Sequence, residues 1–375
     1  MTVDLEVDTT KKPDDGRGSD SEALLVVENL TVTFPTDDGD VKAVRGVSYT
    51  VHAGESMGIV GESGSGKSVS SLAVMGLLPK TARISGSVRF RGQELLGLDE
   101  TGYAKLRGNR IAMIFQDPLT SLNPVYTIGY QIAEAVLAHN DVSKKAARDR
   151  AIELLGIVGI PFPEQRVDSY PHELSGGMRQ RVVIAIAMTN DPDVIIADEP
   201  TTALDVTVQA QVLEALEAAR EATGAALVLI THDLGVIAGH AKDICVMYAG
   251  KLVETGTTED VFYRPRMPYT LGLLGSLPRM DQERQERLTP IKGSPPSLLN
   301  LPPGCPFTPR CPIAEDLCDH DEPNLEEVVG TGHAAACHFR NRVADKAAAD
   351  LFGTDAADDD KPGRGAARGT EVASS

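Results

Sequence analysis

No stretch of this 375-residue sequence approaches the roughly 18 to 20 apolar residues that a membrane-spanning helix needs. Docking on a membrane protein is open to such a chain; crossing the bilayer is not. The N-terminal run MTVDLEVDTTKKPDDG is acidic and lacks an apolar signal core, so a cytoplasmic location is expected. Positive charge is also short: Lys+Arg 36 against Asp+Glu 54 leave a net charge of −18. That deficit disfavours partners held by phosphate neutralisation, and no nucleic acid is expected. Sustained heptads are missing, and no motif set is duplicated. Cysteines are few. Cys245 lies in the apolar run Ile244–Met247 and reads as a core thiol, whereas Cys305, Cys311, Cys318 and Cys337 crowd into the last quarter. In a reducing compartment such clustering favours a metal site over disulfides.

What is present is an α/β pattern. Leu24–Phe34 and Val41–Val51 read as strands of a hairpin turning at Asp37–Asp40. Met57–Val60 is a short buried strand running into a glycine loop, and Ser68–Leu78 reads as a helix. Ile111–Phe115, Val194–Ala197 and Ala226–Ile230 are short apolar runs of buried-strand type. Val212, Ala215, Leu216 and Ala219 mark one face of an amphipathic helix. These readings divide the chain into a disordered tail over 1–22, a main domain over 23–277 with a helical insertion at about 118–189, a Pro/Gly-rich appendix over 278–343 and a second tail over 344–375.

The loop Gly61-Glu62-Ser63-Gly64-Ser65-Gly66-Lys67-Ser68 matches the phosphate-binding P-loop in full, between a predicted strand and a predicted helix. Its glycines let backbone N–H groups turn inward around phosphates, and the helix start adds partial positive charge. Lys67 should reach the β- and γ-phosphates of ATP, and Ser68 should ligate Mg²⁺. The bland alternative is a flexible Gly/Ser loop. The apolar run after Asp193 ends in Asp198-Glu199-Pro200. Asp198 there can bind Mg²⁺ through water, and Glu199 can act as general base on the attacking water. The alternative is a strand end with two solvated acids.

Further motifs resemble those of the ABC (ATP-binding cassette) ATPases. Leu174-Ser175-Gly176-Gly177-Met178-Arg179-Gln180 resembles the signature, Gln116 the Q-loop glutamine, Thr202-Ala203-Leu204-Asp205 the D-loop and His232 the switch histidine, all in the family's order. The resemblance covers roughly Leu24 to Val261. It implies an ABC-type P-loop NTPase: a RecA-like core, an antiparallel β subdomain and a helical signature subdomain, here with a small Cys-rich C-terminal extension. It implies that two cassettes close head to tail, so that Ser175, Gly176 and Gly177 cap the γ-phosphate held by the partner. Asp205 belongs to the same interface. His232 would contact the γ-phosphate, and Gln116 would sense γ-phosphate and Mg²⁺. Phe34 is the candidate for stacking on adenine, with a strand-end core residue as the alternative.

Asp-Pro-Leu-Thr-Ser-Leu-Asn-Pro after Gln116, Met178 in the signature, Pro268-Tyr269-Thr270-Leu271 and Ile291-Lys-Gly-Ser-Pro-Pro resemble the D-type ATPases of oligopeptide and dipeptide importers, a group that includes nickel-type systems. Met267 stands where that family usually has His. The resemblance implies two membrane permeases, a second, F-type ATPase and an extracytoplasmic peptide-binding protein as partners. The chain itself would act on the cytoplasmic face of the membrane. Soluble ABC ATPases of DNA repair or the ribosome are the rival class; the missing coiled coils and second cassette argue against them. A non-catalytic ATP-binding regulator is disfavoured by the presence of Glu199 and His232.

The four late cysteines are separated by five, six and eighteen residues, without the close pairs of zinc knuckles. Four thiolates suit a [4Fe–4S] cluster, as in some peptide-importer ATPases of similar spacing. Zinc and unliganded thiols are the alternatives. The segment is too poor in apolar residues to hold itself by burial, so a metal is expected to supply its folding energy.

Overall fold

A computed structural model describes residues 23–202, 204–277, 290–328, 332–344 and 346–353. The tail expected over 1–22, most of that expected over 344–375 and Ala203 of the D-loop lie outside the described residues. The chain divides into two compact units. One holds 23–32, Arg45–Met57 and Ser68–Ile230; the other holds Thr33–Val44, Gly58–Lys67 and the chain from Thr231 onward.

β1 (Ala23–Thr36) and β2 (Gly39–His52) form the expected hairpin, with its turn at Asp37-Asp38. In β1, Leu25 and Val27 are buried, then Leu30 and Val32. The extra residue between the two pairs is accommodated by Asn29, whose φ of 48° shifts the phase so that both pairs face inward. β3 (Ser56–Val60) leads to the glycine loop. β4 (Arg83–Phe90) and β5 (Gln93–Glu94) complete an antiparallel sheet of order β2-β1-β4-β5.

β6 (Ile111–Ile114), β7 (Val194–Asp198) and β8 (Ala226–Thr231) run parallel in that order. Every residue of β7 and β8 is buried, as strands covered on both faces must be. The helical insertion contains Ile128–Leu137, Lys144–Ile157 and Gly176–Ala187, each capped by a hydroxyl: Thr127, Ser143 and Ser175. Helix Val206–Thr223 buries Val212, Ala215, Leu216 and Ala219, the face read from the sequence.

The helix after the glycine loop is shorter than expected, Lys67–Val74 instead of Ser68–Leu78. Gly76 ends it at φ 61°, with Leu77 N–H bonded to Leu72 C=O and Gly76 N–H to Ala73 C=O. Those two bonds make a Schellman cap, which stops the helix whatever the apolar period beyond it. The strand expected to reach Phe115 ends at Ile114, and Phe115 is exposed.

In the second unit, β9 (Asp243–Tyr248) and β10 (Lys251–Thr257) are antiparallel. β11 (Glu326–Glu327) and β12 (Ala334–Ala335) extend that sheet: Glu254 pairs with Ala335 and Thr255 with Ala334. The composition change near residue 277 is therefore not a structural boundary. Phe307 is fully buried against Tyr248 and Tyr269, with ring centroids 5.4 and 5.5 Å away. As its composition implies, the extension has no core of its own; its apolar residues are buried in a cluster supplied mainly by residues 231–277, so metal is not the only source of its folding energy. The tail expected from Ala344 also begins too early: Ala348–Phe352 is helical, and a Cβ on Gly272 would stand 3.1 Å from the Phe352 ring.

Candidate functional site

Three buried parallel strands present their C-terminal ends at one edge, where open α/β sheets bind ligands. β7 ends at Asp198, 7% exposed, and Ser68 Oγ donates to Asp198 Oδ1 at 2.9 Å. Two of the three side chains read as Mg²⁺ ligands, Ser68 and Asp198, thus converge on one point, which fits the cation, while Gln116 bonds to Glu199 instead. Glu199 follows with φ 47°, a left-handed backbone that residues other than glycine seldom adopt. It is held there by its N–H on Ile230 C=O at 2.8 Å. Its Oε2 accepts from Thr202 Oγ1 at 2.8 Å and from Gln116 Nε2 at 3.2 Å. Both donors fix its direction.

The glycine loop belongs to the second unit. Lys67, 4% exposed, donates through Nζ to Gly61 C=O at 2.7 Å and Glu62 C=O at 3.0 Å. Gly61 has no room for a side chain, since a Cβ would stand 2.2 Å from Met247 C=O. At Gly66, with φ 101°, it would stand 2.4 Å from Ala43 C=O. The loop is pressed from both sides, so neither glycine can carry a side chain. Gly64, Ser63 and Ser65 complete its turn, and His232 is exposed just past β8. Phe34 is half-buried near the end of β1.

Residues 44–202 match the family described as ABC transporter, and residues 253–318 match the oligopeptide/dipeptide transporter C-terminal region. The dipeptide transport ATP-binding protein of Bacillus subtilis is 50% identical over 328 residues, which cover 87% of this chain and 97% of that protein. The chain belongs to the ABC transporter ATP-binding proteins. The oligopeptide transport ATP-binding protein of Mycobacterium tuberculosis is 57% identical over 330 residues, 88% of this chain and 54% of the relative. The chain thus spans about half the length of that curated relative. Among solved structures, a dimeric ATP-binding cassette in a post-hydrolysis state bound to ADP and Pi has a TM-score of 0.56 at 28% identity, covering 63% of this chain and 99% of that one.

In this ABC protein the signature opens the helix Gly176–Ala187. Ser175 caps it, accepting from Met178 N–H at 3.3 Å, and Ser175 and Gly176 face solvent. Gly177 lies under helix Val206–Thr223, where a Cβ would stand 2.3 Å from Val208 Cγ1. Asp205 caps that second helix, accepting from the N–H groups of Thr207 and Val208. Signature and D-loop are therefore packed side by side, with Ser175, Gly176 and Asp205 exposed.

The late cysteines do converge. Cys305, Cys311, Cys318 and Cys337 line one cavity together with Phe307, Ile313 and Phe339. Burial pushes the Cys311 thiol up to about 12 and Cys337 up to about 11, and it raises Cys305 as well. As free thiols these are neutral, and only a bound metal would draw out thiolates. Among the described residues no three Cys, His, Asp or Glu side chains are gathered to hold a single ion. Cys245 is the expected core thiol, 5% exposed and raised to about 12 by burial.

Sequence reasoning missed Thr202 as a partner of Glu199. It also missed Arg310 and Tyr269, which hold Glu62, and Tyr248, whose hydroxyl accepts from Arg310. A signal was available: a carboxylate at the second position of an anion-binding loop requires a cation beside it.

Proposed function

We propose that this chain is the D-type ATPase of a peptide importer, hydrolysing ATP on the cytoplasmic face of the membrane to drive uptake of di- or oligopeptides. The observation that carries the proposal is Glu199, aimed by Thr202 and Gln116 one residue beyond the Asp198–Ser68 pair. Ser68 and Asp198 would hold Mg²⁺, which would supply positive charge against the charge developing on the phosphates. Lys67 and the loop amides hold the phosphates, Glu199 takes the proton of the attacking water, and His232 steadies the γ-phosphate. The relatives named as peptide transport ATP-binding proteins support the peptide substrate.

The same reading assigns two permeases, an F-type second ATPase and an extracytoplasmic binding protein as partners. Among the described residues no helix is long and apolar enough to cross a membrane, which suits a peripheral subunit. The convergence of the four thiols on one cavity supports a [4Fe–4S] cluster, which four thiolates would hold without a histidine.

Purified chain assayed alone and with its permeases and second ATPase tests the assignment: ATP turnover should rise on assembly and rise again with peptide-loaded binding protein. Turnover indifferent to the permeases contradicts the importer. Ser175→Arg places a long cation where the signature should meet the partner's γ-phosphate. In mixed assemblies it should abolish hydrolysis at the partner's P-loop and leave nucleotide binding at this chain's own Lys67 intact. A defect confined to this chain's own loop contradicts the head-to-tail sandwich.

A further inference from the structure

Glu62 occupies the second position of the phosphate loop, and all its polar groups are engaged. Its carboxylate receives a two-pronged bond from Arg310, Nη1 to Oε2 at 2.6 Å and Nη2 to Oε1 at 2.8 Å. Its N–H donates to Tyr269 Oη at 2.8 Å, and its C=O accepts from Lys67 Nζ. Arg310 lies 248 residues away, beside Cys311, on a single 3₁₀ turn, Thr308–Arg310. Its side chain is 4% exposed against 28% for that of Glu62.

Two further guanidinium donors are also placed: Nε on Lys292 C=O at 3.1 Å and Nη1 on Tyr248 Oη at 3.4 Å. Its carbon lies 5.9 Å from the ring centres of both Tyr248 and Phe307. A guanidinium built in so fully does not wander, and a parallel two-bond fork fixes direction as well as charge. Without it, a carboxylate would stand in a loop whose task is to hold a polyanion.

The geometry points to Arg310 as a positioning residue for nucleotide binding. It holds Glu62 turned back from the phosphates and cancels its charge, leaving the charge of Lys67 to the nucleotide. The C-terminal extension thereby becomes part of the nucleotide machinery. This inference rests on reading Gly61–Ser68 as the ATP phosphate loop.

The test is equilibrium binding of Mg-ATP to the purified full chain, with KM and kcat measured in the assembled transporter. Arg310→Met is expected to weaken ATP binding about ten-fold, raising KM with kcat within about two-fold. Arg310→Lys keeps the charge but loses the fork, and should weaken binding about three-fold. Adding Glu62→Gln to Arg310→Met removes the charge that Arg310 offsets, and should restore binding to within about three-fold of wild type. A purely structural ion pair predicts the reverse: lower melting temperature, unchanged KM and no rescue. Either an unchanged Kd in Arg310→Met and Arg310→Lys or a double variant no better than the single one overturns the proposal. Should Arg310→Met not fold, Arg310→Lys and its pairing with Glu62→Gln carry the same test. Lys67→Ala separates the two levels. If it still binds Mg-ATP like wild type, the phosphate-loop reading itself fails; if it loses binding while the Arg310 variants do not, only the role of Arg310 is lost.

Discussion

Glu199→Gln binds Mg-ATP with near wild-type affinity and hydrolyses it about 10²- to 10⁴-fold more slowly in the assembled transporter. The expectation follows from what the substitution keeps and what it removes. An amide has the shape of the carboxylate, and its oxygen can still accept from Thr202 Oγ1 and Gln116 Nε2, which share Oε2 in the native chain. The backbone constraint is untouched: the Glu199 N–H stays on Ile230 C=O, and φ stays near 47°. Asp198 and Ser68 remain bonded to one another, and Lys67 stays on its loop. Binding groups are therefore intact. What is lost is an oxygen able to take a proton, since a neutral amide is not a base at neutral pH. Single-turnover hydrolysis of bound ATP is the measurement, alongside the Kd for Mg-ATP. Hydrolysis within about ten-fold of wild type would sink the general-base role, because that loss lies below the range of such catalysis.

The residues proposed for this centre could be picked out as candidates because their motifs are local. A P-loop needs eight consecutive residues, and the carboxylate pair needs one buried strand. Each chemistry-bearing side chain sits at the end of an apolar run short enough to be a parallel strand. The helical insertion was legible for a similar reason: its apolar faces repeat over whole turns, and its caps are hydroxyls next to the first turn. Where the reading failed, the deciding contact lay far off in sequence. The helix Lys67–Val74 stops at Gly76, whose inner side is filled by the Tyr103 ring, 2.4 Å from where a Cβ would stand. Two-residue strands such as Ala334–Ala335 have no period to detect and exist only because β10 offers them an edge. The apolar content of residues 290–353 looks too low for a core only while Phe307 and Phe352 are counted without Tyr248, Tyr269 and the other buried residues that receive them. Glu62 and Arg310 are the extreme case, a buried pair spanning 248 residues. Charge reasoning could have asked for a cation at Glu62 but could not have chosen among 36 of them.

Purified without oxygen, the chain should carry about four irons and four sulfides, and Cys318→Ser should fall below about one of each. The four thiols are brought to one cavity by backbone ties that need no ligand. Cys305 N–H donates to Cys318 C=O at 2.8 Å, Thr308 Oγ1 donates to the same oxygen at 3.0 Å, and Cys318 N–H donates to Glu315 C=O at 2.8 Å. A Cβ on Gly304 would stand 2.2 Å from that Cys318 carbonyl, so the two loops touch through backbone. Pro306 and Pro312 stiffen the positions after Cys305 and Cys311. Burial raises three of the thiols, so a bound cluster must displace protons, and its assembly should weaken as pH falls. The buried Phe307 and the pairing of β12 with β10 alter what the loss should look like. If metal alone supplied the folding energy, Cys318→Ser would unfold residues 290–353 and free Arg310 from Glu62. With the extension anchored by its own burial, iron and sulfide should disappear while the melting transition stays cooperative and ATP still binds. Stoichiometric zinc, or four freely alkylated cysteines in an iron-free chain, would rule the cluster out. Loss of ATP binding in Cys318→Ser would show instead that the cluster, and not the aromatic core around Phe307, holds Arg310 in place.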